Sequence, residues 1–149
     1  MKTHFGEVLG MRLVERTEGH AVFELDLRQE LCNLHGSVHG GVVMSMLDAA
    51  GLWAGATPGR GAAEPPRAAT AALNCNFLRA ARLAETSVLR ATATVTKRGR
   101  TTYFSSILLH SHPGGDLLAS AQGVYVVTGG AEPRTATRTE GAANADPAA

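Results

Sequence analysis

The middle of the chain is apolar at nearly every position, with the spacing of a helix. Its one charge, Asp48, comes about two turns after a glycine pair, Gly40-Gly41. A helix that is hydrophobic all round is buried in its protein. We therefore predict a buried helix over residues 39–54 that ends near Gly55, because a Pro-Gly pair soon follows and cannot continue it.

The segments on either side of this helix alternate between apolar and polar positions, as half-buried strands do. A short helix or turn over 4–11 and a hairpin precede the helix, and four strands follow it. The predicted strands cover residues 12–17, 20–27, 68–78, 86–96, 101–112 and 117–128. This order indicates an α+β domain with a largely antiparallel sheet curled around the helix. Such a sheet leaves an edge strand that self-association would cover.

Two stretches lack a periodic pattern. Residues 57–66 are rich in Pro and Gly and are predicted to form a loop. Residues 129–149 shift to Ala, Gly, Thr, Glu and Pro, and we predict a disordered tail there. The folded domain is therefore predicted to cover residues 1–128.

Composition narrows the class of protein. The 149 residues suffice for one domain with a core, and 44% of them are apolar. A net charge of +1 gives no electrostatic reason to expect nucleic acid or a membrane surface as partner. The apolar runs are too short to span a bilayer, and the N-terminus lacks a signal-peptide pattern. Cys32 and Cys75 are expected to stay reduced, so we expect a cytoplasmic protein.

The Gly40-Gly41 turn is the first candidate for chemistry. A helix N-terminus presents free backbone N–H groups, and glycines let a ligand approach them, which suits a carbonyl oxygen that gains negative charge. Asn33, in the preceding loop, is placed to donate to the same oxygen. The alternatives stay open: the glycines form only a tight turn, and Asn33 only holds its own loop.

Asp48 is the second candidate. A carboxylate in an apolar helix is costly unless it has partners or a task. It serves either as a nucleophile or general base in a dry site, or as the partner of an arginine across a subunit contact. The spacing alone does not choose between these roles.

Two other clusters contain residue types that often bind metals. Cys32, His35 and His39 have ligand-like spacing, but the glycines among them keep them off one helical face, so we expect no metal. His110 and His112 are expected to face solvent from one side of a strand.

Basic residues gather at two predicted strand ends. Lys97, Arg98 and Arg100 form a basic turn, and Arg79 and Arg82 lie at another strand end. They are interpreted either as phosphate ligands or as a solvated surface.

The pattern Asn33-x5-His39-Gly40-Gly41-x6-Asp48, on a helix between two strands and four, resembles the hotdog-fold acyl-CoA thioesterases. More narrowly, it is similar to the phenylacetate-degradation (PaaI-like) type. The resemblance implies a sheet wrapped around the helix and two chains paired into one continuous sheet. It further implies that pairs associate into homotetramers, with active sites at the boundary between chains.

The resemblance also implies roles for residues. Asn33 and the N–H of Gly40 would polarise the thioester carbonyl, His39 would shape the turn, and Gly41 would contact substrate. Asp48 of the partner chain would attack the carbonyl or activate water.

A Ser or Thr at the start of the strand after the helix often holds the water in this family, and Thr70 takes that position. Simple alternation puts Thr70 on the face of Asn74, so a bulge is needed to aim it at the site. Arg98 and Arg100 become contacts for the phosphates of coenzyme A. Coenzyme A is here part of the substrate, and no separate cofactor is expected.

The function implied is hydrolysis of an acyl-CoA, either of an aryl or phenylacetyl type or with a medium chain. Two alternatives stay open. One is a hotdog domain that binds acyl-CoA without turning it over. The other is a hotdog enoyl-CoA hydratase or dehydratase, which needs a His paired with an acidic residue at the helix.

Overall fold

The computed structural model describes residues 4–55 and 67–128, and its elements follow the predicted order. They are α1 (Phe5–Leu9), β1 (Met11–Thr17), β2 (His20–Asp26), a 3-10 turn (Gln29–Leu31), α2 (Gly40–Gly55), β3 (Ala68–Phe77), β4 (Val88–Arg98), β5 (Thr102–His112) and β6 (Leu117–Val127). The loop predicted for 57–66 and the tail predicted for 129–149 lie outside the described residues.

The six strands form one curved sheet in the order β1-β2-β4-β5-β6-β3, and every neighbouring pair is antiparallel. The long helix α2 packs across it and contacts all six strands. The predicted α+β class, with one antiparallel sheet wrapped around a central helix, is confirmed. The first and third strands form the two edges, so each has an unpaired side within the described chain.

The core lies between α2 and the concave face of the sheet. Leu89, Ala91 and Ala93 of β4 are fully buried, and alanines here let the helix approach the sheet closely. Met46 and Leu47 are the matching fully buried residues of α2. The alternation predicted for this strand is therefore confirmed.

Two buried tyrosines, Tyr103 and Tyr125, fix the far half of α2 on the sheet. Their rings stack with centroids 5.2 Å apart. They fit because α2 carries glycine at the two contact points: a Cβ at Gly51 would overlap the Tyr125 hydroxyl, and one at Gly55 would overlap the Tyr103 ring.

The prediction that α2 is buried on nearly every side is wrong for one stripe. The side chain of Met44 is 41% exposed, and Asp48 and Leu52 lie half-buried one and two turns further along the same face. The physical reason is that a single sheet covers a helix from one side only. Apolar residues on the opposite stripe are left open in one chain.

Residues 78–87 leave the sheet and run beside the loop that precedes α2. The N–H of Val38 donates to the carbonyl of Ala81 at 2.8 Å, and Ser37 and Arg82 form an isolated β-bridge. The strand predicted to begin at residue 86 accordingly begins at Val88.

Some expectations concern the surface. Cys32 and Cys75 are free and half-buried. His110 and His112 flank the buried Ser111, so both lie on the outward face of β5, as predicted. Within 4–55 and 67–128, no helix is long and apolar enough to cross a membrane.

Candidate active site

Asn33 holds a tight loop just ahead of α2. Its Oδ1 accepts hydrogen bonds from the N–H groups of His35 at 2.9 Å and Ser37 at 3.2 Å. Gly36 turns the chain with a φ of 72°, a conformation that glycine adopts without strain. Because these donors occupy the oxygen, the Nδ2 group is the end of the amide left to donate to a ligand. Among the described residues it has no acceptor.

His39 shapes the start of α2. Its Nδ1 accepts the N–H of Gly41 at 3.0 Å, while its carbonyl accepts the N–H of Val42 at 2.9 Å. A ring nitrogen that accepts a hydrogen bond carries no proton, so the neutral ring has its proton on Nε2. The N–H of Gly40, the first residue of α2, has no acceptor among the described residues. It therefore points a donor outward at the positive end of the helix dipole. Gly41 offers a ligand only its exposed, side-chain-free surface.

A cleft of about 390 Å³ opens in front of these donors, and we call it the donor cleft. Asn33 and Gly40 line it together with Phe77 and Arg79. The Arg79 guanidinium forms an ion pair at 2.9 Å with Asp116, and both side chains are more than half exposed. The donor cleft therefore combines two hydrogen-bond donors with a cation at its rim.

Asp48 lies elsewhere, on the open stripe of α2. Thr70 Oγ1 donates a hydrogen bond of 2.7 Å to Asp48 Oδ1. The strand partner of Thr70 is Tyr125, whose hydroxyl donates to the Asp48 carbonyl at 3.4 Å. The neighbouring strands β3 and β6 thus both hold Asp48, β3 through its carboxylate and β6 through its backbone carbonyl.

Thr70 reaches Asp48 because β3 has a bulge. Register with β6 shifts between Thr70 and Ala72, so Thr70 pairs with the inward-facing Tyr125 while Asn74 pairs with the exposed Gln122. An even spacing would otherwise put Thr70 and Asn74 on one face. The bulge that the alternation required is present.

A larger hollow of about 620 Å³ adjoins Asp48, and we call it the Asp48 pocket. Aromatic and aliphatic side chains of α1, β1, β2 and α2 supply most of its wall. Phe23 and Trp53 meet there edge to face, with centroids 5.8 Å apart. Ser45, one turn before Asp48, also lines it, but its hydroxyl donates to the Gly41 carbonyl at 2.7 Å.

The two hollows are separate within one chain. Gly40 and Asp48 are eight residues apart on one helix, which is about 12 Å along its axis. Donors and nucleophile must each come within about 3 Å of one reacting carbonyl group. One chain therefore does not bring the predicted donors and the predicted carboxylate to the same carbonyl.

The basic turn after β4 lies at the C-terminal end of α2, away from the donor cleft. Arg98 donates a hydrogen bond to the carbonyl of Gly55, the last residue of α2, and its guanidinium lies 5.4 Å from the centroid of the Tyr103 ring. Arg100 is exposed in the next turn. Both therefore lie near the helix end opposite Gly40.

The tyrosines beneath the site are neutral over a wide pH range. Burial raises the pKa of Tyr103 to about 12, against an opposing influence of the Arg98 and Arg16 cations. Burial also raises the pKa of Tyr125, and the Asp48 carboxylate adds to the rise. Both hydroxyls thus remain donors to α2 at neutral pH.

No group of three metal-ligating side chains occurs among residues 4–55 and 67–128. Of the three residues with ligand-like spacing, Cys32 contacts the Arg28 carbonyl through its Sγ at 3.6 Å, and His39 accepts the N–H of Gly41. Within the described part of the chain, the recorded side-chain hydrogen bond of His39 is to the N–H of Gly41 and not to a carboxylate.

The sequence did not reveal Phe23 and Trp53 as residues of these hollows, and it named Arg79 only as one of several possible phosphate ligands. Arg79 lines the donor cleft because residues 78–87 fold back beside the Asn33 loop, which no local pattern reveals. Phe23 and Trp53 look like ordinary core residues. The sequence feature that links Trp53 to the site is its position five residues after Asp48 on the same helix.

The comparison with protein families decides the class. The profile of the Thioesterase superfamily matches residues 35–118. The chain belongs to this superfamily. It is therefore a thioester hydrolase, and the matched region contains His39, the helix α2 with Gly40 and Asp48, and the strands β3, β4 and β5.

Known proteins agree. The chain is 30% identical over 120 residues to the human protein named acyl-coenzyme A thioesterase 13, which covers 80% of this chain and 81% of that one. It is 26% identical to the E. coli PaaI protein from the phenylacetic acid degradation operon, with a TM-score of 0.70 and 84% of each chain covered. Zebrafish thioesterase superfamily member 2, at 23% identity and a TM-score of 0.69 over 85% of this chain and 88% of that one, shares the fold. The predicted hotdog fold is thus confirmed.

Proposed function

We propose that this chain hydrolyses acyl-CoA thioesters at a site that two copies of the chain build together. The observation that carries the proposal is the separation of Gly40 and Asp48 on one helix, with each opening into its own hollow. A second chain supplies what each hollow lacks. Similarity to a protein named acyl-coenzyme A thioesterase 13 supports coenzyme A esters as the substrate class.

The edge strand β3 supports pairing between copies. Ten residues, Ala68–Phe77, pair with β6 on one side only, and Phe77 at their end is 56% exposed. A second copy added along this edge extends the sheet and covers the open stripe of α2. The Asp48 of one chain then faces the Asn33 and Gly40 of the other. We further propose that two such pairs form a homotetramer, and that the protein works in the cytoplasm.

In this arrangement the thioester oxygen accepts hydrogen bonds from Gly40 N–H and Asn33 Nδ2 of one chain. Both stabilise the negative charge that develops when the carbonyl is attacked. His39 holds the turn so that the Gly40 N–H stays free, and Gly41 lets the substrate lie close to it.

Asp48 of the other chain performs the attack by one of two routes. As general base it takes a proton from water, and hydroxide adds to the carbonyl carbon. As nucleophile it forms an anhydride that water then cleaves. In both routes the C–S bond breaks, the coenzyme A thiolate takes up a proton, and the free acid leaves. Thr70 orients the carboxylate or its water.

Arg98, Arg100 and Arg79 remain the proposed contacts for the phosphates of coenzyme A. The case for Arg79 is its place at the rim of the donor cleft. Arg98 is already bound to the end of α2, so its removal affects the helix first.

The direct test measures thiol release from aryl, phenylacetyl, hydroxyacyl and straight-chain CoA esters. Asp48→Asn should reduce kcat for the best substrate by about 10²–10⁴-fold, because the amide neither attacks nor accepts the proton. Asp26→Asn is the matched control, since Asp26 is an exposed carboxylate paired with Arg12, away from both hollows. Wild-type turnover in Asp48→Asn would contradict the mechanism.

Single-turnover hydrolysis in 18O-water separates the two routes. Label in the Asp48 carboxylate identifies the nucleophile route with water attacking the aspartyl carbon of the anhydride, whereas the general-base route places the label in the product acid only. Mass spectrometry of the Asp48 peptide provides the measurement.

A further inference from the structure

The Asp48 pocket has the dimensions and lining of an acyl-group site. Its volume of about 620 Å³ lies within the range of small-molecule sites. Along α2 its wall passes from Asp48 through the small Ala49 to Trp53, and Met11, Leu13 and Phe23 complete its apolar side. An apolar group attached to a carbonyl at Asp48 would enter this space.

Trp53 forms a fixed end to that path. Phe23 packs edge-on against its ring at an interplanar angle of 74°. Arg16 donates to the Trp53 carbonyl at 3.1 Å, and its guanidinium lies 4.9 Å from the ring centroid. Because the side chain is held on more than one side, it does not swing aside at low cost.

The distance from carboxylate to end wall limits the acyl group. Five residues separate Asp48 from Trp53, which is about 7–8 Å along the helix axis. A benzyl group spans a comparable length, and an extended fatty chain of sixteen carbons is far longer. The aromatic edge of the Phe23–Trp53 pair also suits a ring.

We propose, on the basis of the proposed function, that the Asp48 pocket binds the acyl group and that Trp53 and Ala49 set its size. The preferred substrates are then coenzyme A esters of aryl-substituted or short-to-medium apolar acids. Trp53 closes the far end, and Ala49 keeps the passage beside the carboxylate open.

Two opposite substitutions test the size limit. Trp53→Leu deepens the pocket by the space of a few methylene groups and should raise the ratio of kcat/KM for octanoyl-CoA over phenylacetyl-CoA by roughly tenfold or more. Ala49→Leu narrows it and should lower kcat/KM for phenylacetyl-CoA by a similar factor while sparing acetyl-CoA. Val14→Ala, an exposed position on β1 that does not line the pocket, is the matched control and should leave both ratios unchanged.

A binding measurement keeps this test independent of hydrolysis. Trp53 is the single tryptophan of the sequence, so its fluorescence reports on the pocket directly. The 2-phenylethyl thioether of coenzyme A, which is not hydrolysed, should shift or quench this emission saturably in the wild type and in Asp48→Asn. Coenzyme A alone should not.

The outcomes are distinguishable. Thiol release without a Trp53 response, and with unchanged substrate ratios in both pocket variants, would overturn the acyl site and leave the thioesterase function standing. A saturable Trp53 response without release of thiol from any ester would support the acyl site and overturn the proposed function.

Discussion

The two hollows on either side of α2 differ in nearly every physical respect. The donor cleft is built from a loop, the first turn of a helix and an arginine, and it offers N–H groups. The Asp48 pocket is built from helix and sheet side chains, and it offers a carboxylate beside aromatic rings. Under the proposed function, the donor cleft stabilises negative charge, and the Asp48 pocket supplies a nucleophile or base and holds an apolar group.

The difference indicates that the proposed oxyanion donors and the proposed carboxylate are kept apart within one chain. A carboxylate placed beside oxyanion donors in the same chain would compete with the substrate for them. On one helix the two are about 12 Å apart, and under the proposed function a second chain brings them to one carbonyl. Each prediction below changes one hollow and leaves the other intact.

Among substitutions that leave Asp48 in place, the largest effect is expected at Asn33. Asn33→Asp keeps the oxygen that holds the loop but removes the Nδ2 donor and adds a negative charge where the oxyanion forms. It should lower kcat by about 10²–10³-fold, the range found when an oxyanion donor is lost. Steady-state kinetics beside a thermal melt provides the measurement. A variant with wild-type kcat would remove Asn33 from the mechanism.

A smaller effect is expected at Thr70, which acts on the reaction through Asp48. Thr70→Val has nearly the same shape but cannot donate to Asp48 Oδ1, so kcat should fall roughly ten- to a hundredfold because the carboxylate is misplaced. KM and the melting temperature should change little. Thr70→Ser retains the hydroxyl and should recover most of the rate; equal losses in both variants would show that shape rather than the hydrogen bond matters.

The smallest effects separate Arg79 from Arg98. Arg79→Ala should raise KM for coenzyme A esters several-fold through loss of a phosphate contact, with little change in stability, because its pair with Asp116 is exposed. Arg98→Ala should lower the free energy of unfolding by about 1–2 kcal/mol, since it removes a cation from a helix C-terminus and from an aromatic face. Denaturant melts and KM values distinguish them, and the reverse pattern would exchange the two roles.

The sequence predicted the parts of this site that depend on local patterns. The apolar run and its flanking glycines gave α2 within one residue at each end, and the elements of the sheet followed from alternation. Asn33, Gly40, His39 and Asp48 could be named as candidates because they share one short segment, and their catalytic roles stay predictions.

What it missed depends on contacts between distant segments. Strand order decides which end of α2 a basic turn meets, so local spacing does not reveal that Arg98 binds the carbonyl of Gly55; its phosphate role stays a prediction. The sequence showed that Thr70 needs a bulge to face the site, but only the register with Tyr125 shows that the bulge is there. Because α2 is apolar on all sides, its sequence also does not show which stripe stays open in one chain.

Complementation between two inactive variants tests the shared site most directly. Asn33→Asp and Asp48→Asn chains, made together with different affinity tags and purified through both tags, yield mixed pairs. In each mixed pair one site combines the intact Asp48 of one chain with the intact Asn33 of the other, while the second site has both defects. The account predicts recovery of about half the wild-type rate per mixed pair. Mixed pairs as inactive as either parent would contradict it and place the whole site within one chain.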